Sequence, residues 1–132
     1  MDFNAIVNNY LDVIKGTYTD FTGAFSGRVG KKPFWSFFVT NMIVSIVVSA
    51  VLSTLQRVNG LGLIMGIVSF VITIALAIPS LGMLVRRLHD TGKSGWYALL
   101  NLLCCVGSIV VLIFAAQDGE TSDNQYGAVP VE

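Results

Sequence analysis

Apolar positions near the start of the chain recur as Phe3, Ile6, Val7, Tyr10, Leu11 and Ile14, the i, i+3, i+4, i+7, i+8, i+11 series of one helix face. Asp2, Asn4, Asn8, Asn9, Asp12 and Lys15 occupy the other face. This predicts an amphipathic helix within residues 1–25, ending near Gly16 and too short to cross a bilayer, so it lies in the interface or docks on the rest of the molecule. From Phe34 the pattern changes from periodic to continuous. Ser36 to Leu55 makes about 30 Å of helix, the thickness of the hydrocarbon core. Val58 to Val85 is uncharged for about 42 Å of helix, more than one crossing needs, so a span over about 60–81 is expected with Pro79 as its kink. A third span is predicted over Trp96–Ala116, with Ser94 as N-cap and Trp96 and Tyr97 as interface anchors. Residues 118–132 have no helical period and read as a polar surface tail. The predicted fold is an all-α membrane protein: a helical membrane domain over residues 26–117, with three transmembrane helices, preceded by the amphipathic helix.

Composition agrees. Of the 132 residues 54% are hydrophobic and 12% charged, half the charge of an ordinary soluble domain, where it is about 25%. Arg57 is the sole charged residue between Lys32 and Arg86, and there is none between Lys93 and Asp118. The net charge of zero offers no basic field for nucleic acid. The chain opens without the basic start and short apolar core of a signal peptide, so no cleavage is expected. Counting Lys and Arg in the flanks gives seven before the first span and between the second and third, against Arg57 alone on the other side. That bias predicts a cytoplasmic N-terminus and, with three spans, a periplasmic C-terminus.

Small and polar residues recur inside the spans. Asn41, Ser45, Ser49 and Ser53 form a ridge on the first, and Gly62 and Gly66 make a GxxxG followed by Ser69 and Thr73 on the second. Such ridges let helices approach closely, so these faces are expected to pack together. No ionisable residue lies centrally in a span, which favours packing over an ion path.

Candidate chemistry concentrates between Pro79 and Tyr97, which hold the only histidine and half of the arginines. Asp90-Thr91-Gly92 reads as a turn, and Arg86 and Arg87 can reach lipid phosphate, or one can pair with Asp90. His89 is read as a hydrogen-bonding loop residue. The run Thr91–Ser94 lacks the glycine and strand of a phosphate loop, and Ser94 with His89 lacks a third orienting group. The adjacent Cys104 and Cys105 are packing residues, and the acids of the tail miss the calcium-loop pattern. No metal or cofactor is expected.

Three stretches carry a resemblance: FSGRxxKxxFW at Phe25 to Trp35, RRLHDTGxSGW at Arg86 to Trp96, and GxxxxNxYGxxP at Gly119 to Pro130. In these the chain resembles the YhaH-like family of small bacterial inner-membrane proteins, a domain of unknown function. Lys31 and Lys93 stand where that family usually shows arginine. The resemblance implies a multi-span inner-membrane protein without an established reaction.

The function expected is therefore association without enzymatic activity. Arg28, Lys31, Arg86, Arg87, His89, Asp90, Lys93 and Trp96 are the candidate residues for anionic membrane lipid, another membrane protein or a second copy, bound through the cytoplasmic Arg-rich loop. A small oligomeric transporter or channel subunit is the alternative. An enzyme acting on lipid headgroups through Arg86, Arg87, His89 and Asp90 has the least support.

Overall fold

The computed structural model describes residues 2–102 and 104–130. Four α-helices follow in order: α1 Phe3–Thr19, α2 Lys31–Gln56, α3 Gly62–Asp90 and α4 Cys104–Ala116, with 3-10 helices at Gly23–Phe25 and Gly95–Leu102. Asp2 caps α1, its side chain accepting from the Ala5 amide at 2.8 Å. The apolar face of α1 docks in part: Tyr10 and Ile14 pack against the core, while Phe3 and Leu11 stay exposed. The Tyr10 ring stacks on Phe37 with centroids 5.3 Å apart, its hydroxyl donates to Asn41 at 3.0 Å, and Asn9 donates to the Pro33 carbonyl at 3.1 Å. Burial raises the Tyr10 phenol above its ordinary pKa. At the far end of α1 the Tyr18 hydroxyl donates to the Ala75 carbonyl of α3.

Pro33 sits in the first turn of α2, where its missing N–H costs nothing. At 26 and 29 residues, α2 and α3 are about 39 and 44 Å long, enough to cross a bilayer. Their apolar side chains point outward: Ile46, Val47 and Val51 on α2 and Leu63, Phe70 and Val71 on α3 are each more than half exposed. The most apolar stretch of each helix is almost wholly unburied, which separates this hairpin from the core helices of a soluble protein. Pro79 has no N–H to give the Ala75 carbonyl, the acceptor that Tyr18 takes instead, and α3 continues past this missing bond to Asp90 with Pro79 buried.

The packed core lies at one end of the hairpin, where Phe34 and Phe37 of α2 meet Met83, Leu84 and Leu88 of α3 and Val111 and Ala115 of α4. Two expectations are corrected there. The stretch Trp96–Ala116 is not one spanning helix. It breaks into eight residues of 3-10 helix, about 16 Å, and thirteen of α-helix, about 20 Å, each shorter than the hydrocarbon core. The chain doubles back, because Ala115 and Gln117 lie against Arg87 and Lys93. The tail therefore sits at the same end of the hairpin as Lys31 and Asp90, not at the opposite end, and it is the polar surface segment expected, docked through its backbone carbonyls while most of its residues stay exposed.

The second correction concerns helix approach. Asn41 bridges the helices, donating to Ser80 at 2.7 Å. Beyond it Ser45, Ser49 and Ser53 face Ser69 and Thr73 across a groove of about 410 Å³, so the two ridges oppose each other without closing. Gln56 crosses at its end, donating to Ser69 at 3.2 Å. The GxxxG makes no close contact: a Cβ on Gly66 would meet nothing within 4 Å, and one on Gly62 only the Gln56 carbonyl at 3.4 Å. The glycine that permits close approach is Gly82, where a Cβ would come within 2.7 Å of the Ala24 carbonyl.

Candidate functional site

The last turn of α3 reads Arg86-Arg87-Leu88-His89-Asp90, and it ends as a helix does when a glycine follows in the left-handed region. Gly92 has φ +79°, and the amides of Gly92 and Lys93 return to the carbonyls of His89 and Leu88 at 3.0 and 2.9 Å. This reversal sets Asp90 at the helix end, facing inward and 3% exposed.

Asp90 holds two guanidinium groups. One carboxylate oxygen accepts from Arg87 at 2.5 Å, and the other from Arg28 Nε at 3.0 Å and Nη2 at 2.9 Å. Both side chains are all but wholly buried. Each guanidinium then spends its remaining N–H groups on backbone carbonyls: Arg87 on Val29 at 3.2 Å, Ala115 at 2.9 Å and Gln117 at 2.5 Å, and Arg28 on Glu120 at 2.8 Å, Ser122 at 2.9 Å and Gly127 at 3.2 Å. The flat five-donor fork of arginine suits this task, which lysine cannot reproduce. Gathering carbonyls around buried cations at a helix C-terminus also places positive charge where the helix dipole favours it. The result is a clamp that ties the start of α2, the end of α3, the end of α4 and the tail together.

The tail closes over it. The His89 ring stacks on Tyr126, centroids 3.9 Å apart and 3° from parallel, and its Nδ1 lies 3.0 Å from the Gly27 carbonyl, to which it can only donate. Asn124 donates to the His89 carbonyl at 3.0 Å, and the Glu120 amide to that of Asp90 at 2.8 Å. Gly119 leaves no room for a side chain, since a Cβ would stand 2.1 Å from Asp90 Oδ2. His89 is thus the hydrogen-bonding residue expected. Both oxygens of Asp90 are occupied by the two arginines.

Of the eight candidate residues, Arg28, Arg87, His89 and Asp90 meet in the clamp. Two more lie on its rim: Lys31 pairs with the exposed Asp118, and Lys93 donates to Gln117 at 2.6 Å while resting 5.0 Å from the Phe114 ring centroid. The hydrogen bond from Lys31, and then its charge, hold the Asp118 carboxyl below its usual range. Arg86 and Trp96 stand apart, Arg86 turned toward α1 and Trp96 78% exposed. Clamp members missed among the candidates are Asn124, Tyr126 and Gly119, although the GxxxxNxYGxxP stretch contains all three. Among the described residues no three His, Cys, Asp or Glu side chains gather as metal ligands.

A family model described as a protein of unknown function, DUF805, matches residues 22–128, a range that contains every part of the clamp. The chain is 36% identical over 121 residues to the inner membrane protein YhaI of Escherichia coli K12, covering 92% of this chain and 93% of that one. It is 33% identical over 123 residues to the inner membrane protein YhaH of the same strain, covering 92% and 94%. No solved structure matches the chain.

Proposed function

The chain belongs to the DUF805 family of proteins of unknown function, and from that premise we propose that it is a non-enzymatic inner-membrane protein that works by association. The association takes place at the end of the α2–α3 hairpin that carries the clamp. The seven-to-one bias of Lys and Arg supports a cytoplasmic position for that end and the tail docked on it. One observation carries the reading: Arg28, Arg87 and Asp90 are consumed by one another and by backbone carbonyls, so they build a rigid platform, and contact with a membrane partner falls to the groups around it. Arg86, Trp96 and the exposed apolar flank of α1 are those groups. Extraction of the protein in native-lipid nanodiscs, with mass spectrometry of what accompanies it, tests this. A stoichiometric lipid or membrane protein is expected, and a bare chain in bulk lipid composition refutes it.

The polar groove between α2 and α3 favours a second reading, a small oligomeric transporter or channel subunit. Its serines and threonine stand open at membrane depth, where polar groups mark paths as well as contacts. Solute flux into vesicles reconstituted with the protein separates the two.

A further inference from the structure

α1 lies across the hairpin, and its two flanks meet different depths of α2 and α3. Leu11 and Tyr18, seven residues apart on one flank, are about half exposed. Asn9 and Gly16 recur at the same interval about half a turn away. On α2, Asn9 bonds the Pro33 carbonyl, whereas Tyr10 bonds Asn41, about 12 Å further into the apolar stretch. On α3, Gly16 borders the same groove as Arg86, whereas the Tyr18 hydroxyl takes the Ala75 carbonyl, about 16 Å deeper. The polar flank therefore faces the charged end of both helices and the apolar flank faces their lipid-exposed stretch. A helix held this way lies in the membrane plane, at the boundary between headgroups and acyl chains.

The arm formed by Gly95–Leu102 and α4 reaches the same depth from another side. Ala75, Gly82 and Arg86 share one face of α3, and Ala77, Leu81 and Leu84, about half a turn away, line one cavity with Asn101 and Val111 of the arm. Trp96, Leu99, Val106 and Ile109 of the arm are each more than half exposed. We propose that the protein is a wedge in the cytoplasmic leaflet: α2 and α3 alone cross the outer leaflet, while α1 and the arm add their volume beside them in the inner one. Its partner is the lipid surface itself, and it binds best where that leaflet is convex and loosely packed. Apolar side chains such as Leu11, Phe21 and Leu99 fill the gaps between lipids there. With one Asp and one Lys, α1 has no net charge, so packing and not headgroup charge sets its preference. The inference rests on the association reading above and names the leaflet as what is bound.

The whole protein, labelled and reconstituted with its clamp end outward in small and large vesicles of phosphatidylcholine, tests it. Its density per membrane area is expected to be about threefold higher on the small vesicles, with no change on adding salt. The double change Leu11→Asp with Phe21→Asp should bring the two densities together, and Lys15→Gln should leave the preference in place. Depth is read separately from nitroxide labels on Leu11→Cys and Lys15→Cys, in chains carrying Cys104→Ala and Cys105→Ala. The Leu11 label should meet oxygen dissolved in the lipid, and the Lys15 label a nickel chelate in the water. Equal densities in wild type, a preference that survives in the Leu11/Phe21 double variant, or a Leu11 label open to the aqueous chelate overturns the proposal. A chain indifferent to vesicle size that still co-purifies with a stoichiometric membrane protein loses this inference and keeps the association reading.

Discussion

Asp90→Asn changes one atom and removes the carboxylate that both buried guanidinium groups hold. Breaking a buried ion pair from one side costs about 3–5 kcal/mol, because the charge left behind has lost its water and its partner. Both pairs share the same carboxylate, so the costs do not add in full. The amide oxygen of asparagine can still accept from one arginine, while its NH2 must then face the other. The lower end, about 3 kcal/mol, is the expected loss. It falls mainly on the tail, since Arg28 can hold Glu120, Ser122 and Gly127 only while Asp90 fixes it. A loss of about 3 kcal/mol raises the population with an undocked tail about a hundredfold. Hydrogen exchange in nanodiscs reads this directly at the Glu120, Asn124 and Gly127 amides, whose acceptors are the carbonyls of Asp90, Gly127 and Asn124. They should exchange about a hundredfold faster in Asp90→Asn and at the wild-type rate in Arg86→Gln. Exchange within about threefold of wild type in Asp90→Asn would refute the reasoning.

A reporter fused after Glu132 should be active in the cytoplasm, on the side of the N-terminus, and activity in the periplasm would mean that the third apolar stretch crosses after all. Gly82→Ala should lower the melting temperature in detergent, because overpacking against the Ala24 carbonyl costs about 1–3 kcal/mol and exceeds the gain in helix propensity of about 1 kcal/mol. Gly66→Ala, with open space around it, should melt at or above the wild-type temperature, and identical behaviour of the two would sink this account of helix approach. The Lys31–Asp118 contact stabilises the docked tail above the ordinary titration range of a carboxylate and loses that contribution as pH falls through the lowered value of Asp118. An NMR titration of the Asp118 carboxyl should show the lowered midpoint in wild type and its return to the ordinary range in Lys31→Gln.

The helices that declare themselves by period or by length, α1, α2 and α3, were legible in the sequence, and so was the importance of Pro79 to Tyr97. Trp96–Ala116 was not, and the reason is physical. Hydropathy counts the transfer of side chains and is blind to the backbone acceptors that Arg87 takes from Ala115 and Gln117, which hold the chain folded back. Counting charges in flanks likewise treats Arg86 and Arg87 as equals, although a step of about 100° sends one into the clamp and the other toward α1. The small-residue pattern found both walls of the α2–α3 groove, yet Gly82, which stands in no motif, is where backbone meets backbone. The acidic composition of the tail announces its exposed side chains and gives no sign of the carbonyls by which Arg28 docks it.

The tail acceptors of Arg28 lie 92 to 99 residues further along the chain, well beyond Asp90. During synthesis this arginine therefore enters place long before its carbonyls exist, and α3 arrives with Arg87 equally short of Ala115 and Gln117. A chain stopped before Ala115 has Asp90 between the two guanidinium groups but lacks every carbonyl that α4 and the tail give them, so its hairpin end is left open where the full chain is clamped.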